Sequence, residues 1–307
     1  TIDPYRGEAW AKIPRGTAAD ADKAVKAANE AMWNGPWAKM TASARGKAMR
    51  KLGDLVAANA ERLAEIEVRD NGKLMAEMLG QLRYHPEWWW YFGGLVDKLE
   101  GGLVPIDKAE TFADTTHEPV GVVAALTAWN SPLLFVAWKC AAALAAGCAV
   151  IVKPSEFTSA STLEFAALTK EAGIPDGIFN VVTGFGPEAG SALISHPGVA
   201  KITFTGSDTT GAKVYETAAK SLKRVSLELG GKSPNIVFED ADLTAAAAGA
   251  ISGIFAATGQ TCIAGSRLLV QSSIKEQFVA RVLELAKSAK IGDPMQADTN
   301  VGPITTP

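Results

Sequence analysis

Residues 120–152 read VGVVAALTAWNSPLLFVAWKCAAALAAGCAVIV, and this stretch decides the fold class of the 307-residue chain. It begins and ends with short β-rich runs, at 120–126 and 149–152. Four more such runs follow, at 179–182, 201–205, 225–229 and 235–238. The segments between them, such as 159–172 and 188–195, have helical length and composition. Because alternating helices and apolar strands are typical of a parallel sheet covered on both faces, we predict an α/β fold.

The first hundred residues favour helices. A capping-box pattern, Thr17-Ala-Ala-Asp20, opens an Ala-rich segment that runs to Trp33 and is broken by Gly35-Pro36. A second helical tract extends from about residue 43 toward residue 69. The aromatic run 88–92 is predicted to pack in the core through a third helix. The alternative, a platform that stacks nucleic-acid bases, would also need a basic groove.

The net charge, the cysteine pattern and the hydropathy disfavour several classes of protein. Thirty Lys and Arg against 33 Asp and Glu give a formal net charge of −3, which disfavours a nucleic-acid partner. The most apolar stretch, 140–152, is shorter than the ~20 residues of a membrane span, and residues 1–15 lack the apolar run of a signal peptide. Cys140, Cys148 and Cys262 form neither an even disulfide set nor a metal-ligand spacing. We therefore predict a cytoplasmic protein with no membrane partner and no metal site.

Two glycine patterns resemble nucleotide-binding motifs without matching them. Gly184-Phe-Gly-Pro-Glu-Ala-Gly190 follows a predicted strand, but its spacing is one residue longer than the dinucleotide fingerprint, and a simple turn explains it equally well. Residues 229–233, LGGKS, imitate the end of a phosphate-binding P-loop. The first glycine of that loop would be Ser226, however, and Pro234 follows where a helix should propagate. We reject the P-loop.

Two predicted strand ends offer groups that fit a nucleotide. Phe204-Thr-Gly-Ser207 ends a strand in a glycine turn, and the following side chains offer N-cap oxygens to a helix whose free N–H groups can receive a pyrophosphate. Lys153-Pro-Ser-Glu156 follows a buried strand, at the edge where parallel sheets bind ligands. Helix capping alone and a solvated ion pair remain the alternative explanations of these two segments.

Cys262 is the strongest candidate for a catalytic nucleophile. It lies among small polar residues in Thr258-Gly-Gln-Thr-Cys262, whereas Cys140 and Cys148 have apolar neighbours. A nucleophilic cysteine needs access and surroundings that favour the thiolate. Because no histidine lies near Cys262 in the sequence, a Cys–His hydrolase is poorly supported.

Five ordered motifs resemble those of the aldehyde dehydrogenase superfamily. They are Ala128-Trp-Asn-Ser-Pro132, Lys153-Pro-Ser-Glu156, Phe204-Thr-Gly-Ser207, Leu227-Glu-Leu-Gly-Gly-Lys232 and Gly259-Gln-Thr-Cys262. The resemblance implies NAD(P)-dependent oxidation of an aldehyde to a carboxylate. It also implies a Rossmann-like parallel-sheet cofactor domain followed by the start of a second α/β catalytic domain.

The resemblance implies three catalytic residues. Cys262 would add to the aldehyde carbonyl as a thiolate, while the Asn130 amide and the Cys262 backbone N–H would hold the oxyanion. Loss of one such donor typically costs ~10²–10³ in rate. Once the thioester has formed, Glu228 would activate the water that hydrolyses it.

The resemblance also implies a cofactor site along the strand ends. A carboxylate at Glu156 accepts ribose hydroxyls and repels a 2′-phosphate, which favours NAD, with NADP as the alternative. The residues implied to contact the cofactor are Thr127, Ala128, Trp129, Lys153, Ser155, Glu156, Gly186, Gly190, Phe204, Thr205, Gly206, Ser207, Thr210, Leu229 and Gly230. Those implied to contact the aldehyde are Trp138, Ser131, Thr261 and Ile263.

Domain organisation follows from the same resemblance. Residues 1–100 and 120–230 would form the NAD-binding domain, 101–119 part of an oligomerisation element, and 231–307 the N-terminal part of the catalytic domain. Family members are substantially longer, so we expect this sequence to be truncated at its C-terminus. The expected partners are a small-molecule aldehyde and further copies of the chain, as a homodimer or homotetramer.

Two alternatives differ in function. A coenzyme-A-acylating aldehyde dehydrogenase would replace water by a thiol, and Glu228 argues against it because a hydrolytic base serves attack by water. A non-catalytic structural or binding homologue would need neither Cys262 nor Asn130 nor Glu228.

Overall fold

The computed structural model describes residues 1–306, and the first hundred are mostly helical. In chain order the elements are β1 Ile2–Asp3, β2 Glu8–Ala9, α1 Ala18–Trp33, α2 Pro36–Lys39, α3 Ala42–Ala58, α4 Ala60–Asn71 and α5 Met75–Leu95. Two short strands, β3 Gly102–Leu103 and β4 Asp114–Thr115, then pair antiparallel. The predicted capping box is formed at the start of α1, where the side chain of Asp20 accepts from the backbone N–H of Thr17 at 2.9 Å.

The predicted helical tract from 43 to 69 is interrupted. Asn59 ends α3 and begins α4, with φ −109° and ψ 11°. Its side-chain amide donates to the Leu55 carbonyl at 2.8 Å, which gives that carbonyl a partner outside the helical ladder. Short polar side chains that bond the local backbone in this way favour helix ends over helix interiors. The tract is therefore two helices.

The middle of the chain forms a five-stranded parallel sheet, which confirms the predicted α/β class. Its elements are β5 Val122–Leu126, α6 Pro132–Ala145, β6 Val150–Lys153, α7 Ala160–Glu171, β7 Phe179–Val181, α8 Ser191–Ser195, β8 Val199–Thr205, α9 Asp208–Ala219 and β9 Arg224–Glu228. Each predicted run overlaps its strand, with ends that differ by two residues or fewer. Strands β5 and β6 are buried along their whole length, which explains why their sequences are continuously apolar.

The order of the strands, β7-β6-β5-β8-β9, places a switch point between β5 and β8. The chain moves outward from β5 through β6 to β7, then returns to the other side of β5. At such a point the connections leave the sheet in opposite directions and open a crevice beyond the carboxyl ends of the strands. Ligands of open α/β sheets bind in that crevice.

The last part of the chain forms a second, smaller layer. Its elements are β10 Pro234–Val237, α10 Leu243–Phe255, β11 Arg267–Val270 and α11 Lys275–Ser288. Strands β10 and β11 pair parallel, apart from the main sheet. A separate buried cluster contains Val237, Ala247, Ala250 and Phe278. Among the helices of residues 1–306, none has the length and apolar character needed to cross a membrane.

Candidate active site

A cavity of about 810 Å³ lies at the carboxyl edge of the main sheet. Its walls are formed by residues that directly follow β5, β6, β8 and β9, together with the loop that carries Cys262. The cavity therefore occupies the crevice that the strand order creates. Its volume falls within the range typical of small-molecule and cofactor sites.

The cavity gathers residues that are far apart in the sequence. All fifteen residues predicted to contact the cofactor line it, and so do Asn130, Thr261 and Cys262. Although Pro187, Gly231, Gly259 and Gln260 lie within the quoted motifs, no role was predicted for the remaining lining residues. These are Leu126, Phe135, Phe157, Pro187, Ser191, Ile194, Lys213, Val214, Gly231, Gly259 and Gln260. Most of them are apolar or small side chains. Whether such a side chain points toward the cavity depends on how the helices and loops pack.

The Lys153–Glu156 pair lies on one wall of this cavity. The Lys153 ammonium is 3.3 Å from the Glu156 carboxylate, and Lys153 is buried while Glu156 is half-buried. Burial lowers the pKa of Lys153, and the negative charge of Glu156 opposes that shift. The pair presents a donor and an acceptor side by side, which suits a diol such as the ribose of a nucleotide.

The start of α9 forms a second wall. Ser207 caps the helix by accepting from the Thr210 N–H at 3.2 Å, as the sequence predicts. A Cβ at Gly206 would lie 2.5 Å from the ring of Phe204, so this turn excludes a larger residue. The N-terminus of a twelve-residue helix thus faces the cavity with a dipole that favours anionic groups.

Two hydroxyl groups in the wall have unused hydrogen-bonding capacity. Thr127 and Thr205 are buried and follow or end neighbouring strands. Their hydroxyl oxygens have no hydrogen-bond partner among residues 1–306. Buried polar groups are normally satisfied, so these two fit a polar ligand in the cavity. Together with the helix terminus and the Lys153–Glu156 pair, they form a donor set that suits a dinucleotide.

The loop that carries Cys262 has a strained backbone. Helix α10 ends at Phe255, and a short turn, Ala256–Gly259, follows. Within it Ala257 and Thr258 have φ values of 53° and 57°, a conformation that residues with a Cβ seldom adopt. The turn exposes the thiol of Cys262 at the cavity, whereas Cys140 and Cys148 are buried.

Asn130 is joined directly to this loop. Its side-chain amide donates to the carbonyl of Gln260 at 2.9 Å, two residues before Cys262. The contact connects the loop after β5 with the loop after α10. It thereby holds the Asn130 amide against the loop that carries Cys262. The structure therefore brings together the predicted nucleophile and the predicted oxyanion donor.

Glu228 lies beside the cavity and outside its lining. It ends β9, where its carbonyl accepts from the Gly206 N–H at 3.1 Å, and its side chain is exposed. Its carboxylate is close enough to act on the charge of buried Lys139, whose ammonium donates to the Thr203 hydroxyl at 3.2 Å. Burial lowers the pKa of Lys139 to about 8, and the negative charge of Glu228 opposes that shift.

Three residues predicted to contact the aldehyde lie outside the lining of the cavity. Ser131 is buried, and its hydroxyl accepts from Lys73 at 2.7 Å. Trp138 is 45% exposed and packs edge-on against Phe135. Ile263 is 78% exposed. Only Thr261 of the predicted set lines the cavity, and the roles of all four in substrate binding stay predictions.

Two buried lysines next to the site, Lys139 and Lys73, were not expected from the sequence. A signal existed for Lys139, since it is the only charged residue of the otherwise apolar helix α6. Lys73 follows the glycine that ends α4, where a lysine ordinarily indicates a solvated loop. Its burial depends on helix packing that a single sequence does not show.

A comparison with protein families decides the identity of the fold. The model of the aldehyde dehydrogenase family matches residues 1–307. The chain belongs to the aldehyde dehydrogenase family. A relative from Acinetobacter baylyi, (Z)-2-((N-methylformamido)methylene)-5-hydroxybutyrolactone dehydrogenase, is 49% identical over 306 residues that cover 100% of this chain. The chain spans 63% of that relative's length.

Solved aldehyde dehydrogenase structures confirm the fold class. The NAD⁺ complex of an aldehyde dehydrogenase from Bacillus cereus superposes with a TM-score of 0.97 at 42% identity, covering 100% of this chain and 62% of that one. An NAD-dependent aldehyde dehydrogenase from Sinorhizobium meliloti gives 0.96 at 42% identity, covering 99% of this chain and 61% of that one. The chain thus spans somewhat more than half the length of these longer family members.

Differences in burial predict selective alkylation among the three cysteines. With limiting iodoacetamide, we expect Cys262 to react at least ~10²-fold faster than Cys140 or Cys148, because only Cys262 is exposed. Burial raises the pKa of Cys140 to about 12 and also raises that of Cys148, so their thiolates are scarce. Mass-spectrometric peptide mapping measures the three rates, with the denatured chain as the control in which all three react. Equal labelling of a buried cysteine in the native protein would refute the expectation.

Proposed function

We propose that the protein oxidises an aldehyde to the carboxylate with NAD as the electron acceptor. The observation that carries this proposal is the meeting of Cys262 and Asn130 in the same cavity as the nucleotide-binding groups. A cysteine nucleophile and an amide donor beside a dinucleotide site serve addition to a carbonyl followed by oxidation. Membership of the aldehyde dehydrogenase family supports the same assignment.

The cofactor would lie along the carboxyl ends of β5, β6 and β8. Lys153 and Glu156 would hold the adenosine ribose, and the start of α9 at Ser207 would receive the pyrophosphate. Glu156 favours NAD over NADP because its charge opposes a 2′-phosphate. When bound, NAD would supply the two-electron acceptor that takes a hydride from the substrate carbon.

The chain's own residues would carry the carbonyl chemistry. The Cys262 thiolate adds to the aldehyde carbon, and the carbonyl oxygen becomes an oxyanion. The Asn130 amide and the Cys262 backbone N–H donate to that oxyanion, which stabilises the charge where it develops. The contact of Asn130 with Gln260 supports this role, since it fixes the amide relative to the nucleophile's loop. Oxidation then leaves a thioester on Cys262.

Glu228 would act in the second half of the reaction. Its exposed carboxylate at the end of β9 can accept a proton from water, which then attacks the thioester and releases the carboxylate product. Its position outside the cavity lining supports a role with water and not with the cofactor. The nearby Lys139 provides a positive charge opposite the carboxylate.

Assembly and domain organisation belong to the same proposal. We propose that the chain works as a homodimer or homotetramer and that residues 101–119 contribute to the interface. The hairpin of β3 and β4 supports this, because Leu103 and Phe112 are 72% and 77% exposed there. The separate sheet of β10 and β11 supports a domain boundary near residue 230. Three free cysteines suit a reducing compartment such as the cytoplasm.

The proposed function is tested by NADH formation from a panel of aldehydes. We expect at least one aliphatic, aromatic or amino-aldehyde to reduce NAD, with slower reduction of NADP because of Glu156. Absorbance of NADH measures the rate, and reactions without aldehyde give the background. An inactive panel, on protein whose fold is verified by circular dichroism, would favour the non-catalytic alternative.

A further inference from the structure

A buried lysine lies directly behind the candidate oxyanion site. Lys73 follows Gly72, the left-handed residue that ends α4, and its backbone N–H donates to the Asn71 side chain at 2.9 Å. The residue is only 5% exposed. Its ammonium donates to the hydroxyl of Ser131 at 2.7 Å, at the start of α6. A lysine is seldom buried to this extent unless its charge is used.

The charge of Lys73 is incompletely balanced by its surroundings. Among residues 1–306 it forms no ion pair. The titratable groups close enough to act on its charge are Glu67 from α4, Glu77 from α5 and Cys262. One oxygen of Glu67 accepts from the Leu133 N–H and the Ser161 hydroxyl, and burial raises the pKa of Glu67 to about 7. The raised pKa of Glu67 favours its neutral form, which does not balance the ammonium.

A short chain of contacts connects Lys73 with the reacting groups. Ser131, which holds the ammonium, is the residue next to Asn130. The amide of Asn130 in turn bonds the carbonyl of Gln260, two residues before Cys262. Only one hydrogen bond and one peptide unit separate Lys73 from the backbone of Asn130. The same lysine is also within electrostatic reach of Cys262.

We propose that Lys73 is a positioning residue of the active site. Through Ser131 it orients Asn130, and its ammonium offsets the negative charge of the Cys262 thiolate and of the oxyanion formed beside it. This inference rests on the proposed function for its chemical meaning. Its electrostatic part is measurable without aldehyde or NAD, because it concerns a charge next to a thiolate in the resting protein.

The test is the pH dependence of Cys262 alkylation in charge variants. Lys73→Met removes the charge at nearly constant length, and Lys73→Arg keeps it. We expect the midpoint of the alkylation rate to move upward by roughly half to one pH unit in Lys73→Met, a loss of about 3- to 10-fold in rate below the midpoint. Lys73→Arg should keep the original midpoint. The matched control is Lys47→Met on the exposed face of α3, which should also leave it unchanged.

The same set of variants distinguishes the effect of Lys73 from that of the other titratable groups. Glu67, Glu77, Lys139 and Glu228 are present in every variant, so only a shift specific to loss of the Lys73 charge counts as support. If Lys73→Met does not fold, Lys73→Gln preserves a hydrogen bond to Ser131 and gives the same comparison. A folded neutral variant whose midpoint equals that of the unsubstituted protein overturns the proposal, whether or not any aldehyde is oxidised. In active protein, kcat should fall in the neutral variant while KM changes less.

Discussion

Replacing Cys262 by serine is expected to abolish NADH formation from aldehydes, with a loss on the order of 10⁴-fold or more in kcat. A serine hydroxyl is a far weaker nucleophile than a thiolate, and no histidine in the cavity lining would activate it. Without the covalent adduct, neither oxidation nor thioester hydrolysis can proceed. Steady-state NADH absorbance, measured with the best aldehyde of the panel, gives the ratio.

A matched control distinguishes loss of the nucleophile from general damage. Cys148→Ala removes a different thiol, which is buried and outside the cavity lining, and should retain most of the activity. Equal melting temperatures for the two variants would show that the fold is preserved in both. Activity retained by Cys262→Ser would mean that another group forms the adduct, and the assignment of the nucleophile would be wrong.

Replacing Glu228 by glutamine is expected to separate the two halves of the reaction. The first turnover should still release NADH in a burst, since Glu228 lies outside the cavity lining and is not needed for thiolate addition. Later turnovers should slow by roughly 10²-fold or more, because glutamine cannot accept the proton of the attacking water. Rapid-mixing absorbance resolves the burst from the steady state, and intact-mass spectrometry detects the accumulated acyl-enzyme.

Two further measurements test the role of Glu228 in thioester hydrolysis. Hydroxylamine attacks thioesters without a general base, so it should restore turnover and yield the hydroxamate. Glu284→Gln, an exposed carboxylate on α11, is the charge-matched control and should behave as the unsubstituted protein does. Loss of the burst together with turnover would contradict the role given to Glu228. Turnover restored only by coenzyme A would instead favour the acylating alternative.

The strands could be predicted from sequence because their signals are local. Residues 122–126 of the predicted run form β5 and are all buried, so their continuous apolar pattern directly reflects their environment. Strand order could not be predicted in the same way. The pairing of β5 with both β6 and β8 depends on which direction each connecting helix takes, and no local pattern in this sequence encodes that direction.

The grouping of the Lys153 and Ser207 motifs around one cavity was predictable for a related reason. The motifs around Lys153 and Ser207 each follow a strand, and the carboxyl ends of parallel strands meet at one edge. Ser131 illustrates the limit of that argument. Its contact with the aldehyde stays a prediction, and the first turn of α6 directs its hydroxyl to Lys73 in the protein interior. Adjacent residues at a helix start point in different directions, and only the packed helix defines which one faces a cavity.

The turn before Cys262 is held by residues that are distant in the sequence, so the reactivity of the thiol depends on those contacts. The left-handed conformations of Ala257 and Thr258 cost roughly 1–3 kcal/mol each and persist only under outside restraint. That restraint comes from Glu77, which accepts from the Ala257 N–H at 2.9 Å, and from Gly302 and Thr305, which bond the loop. If those contacts were removed, we expect the turn to relax to an easier backbone and the segment of Cys262 to shift relative to Asn130. We therefore expect the alkylation rate of Cys262 to report on the integrity of these contacts.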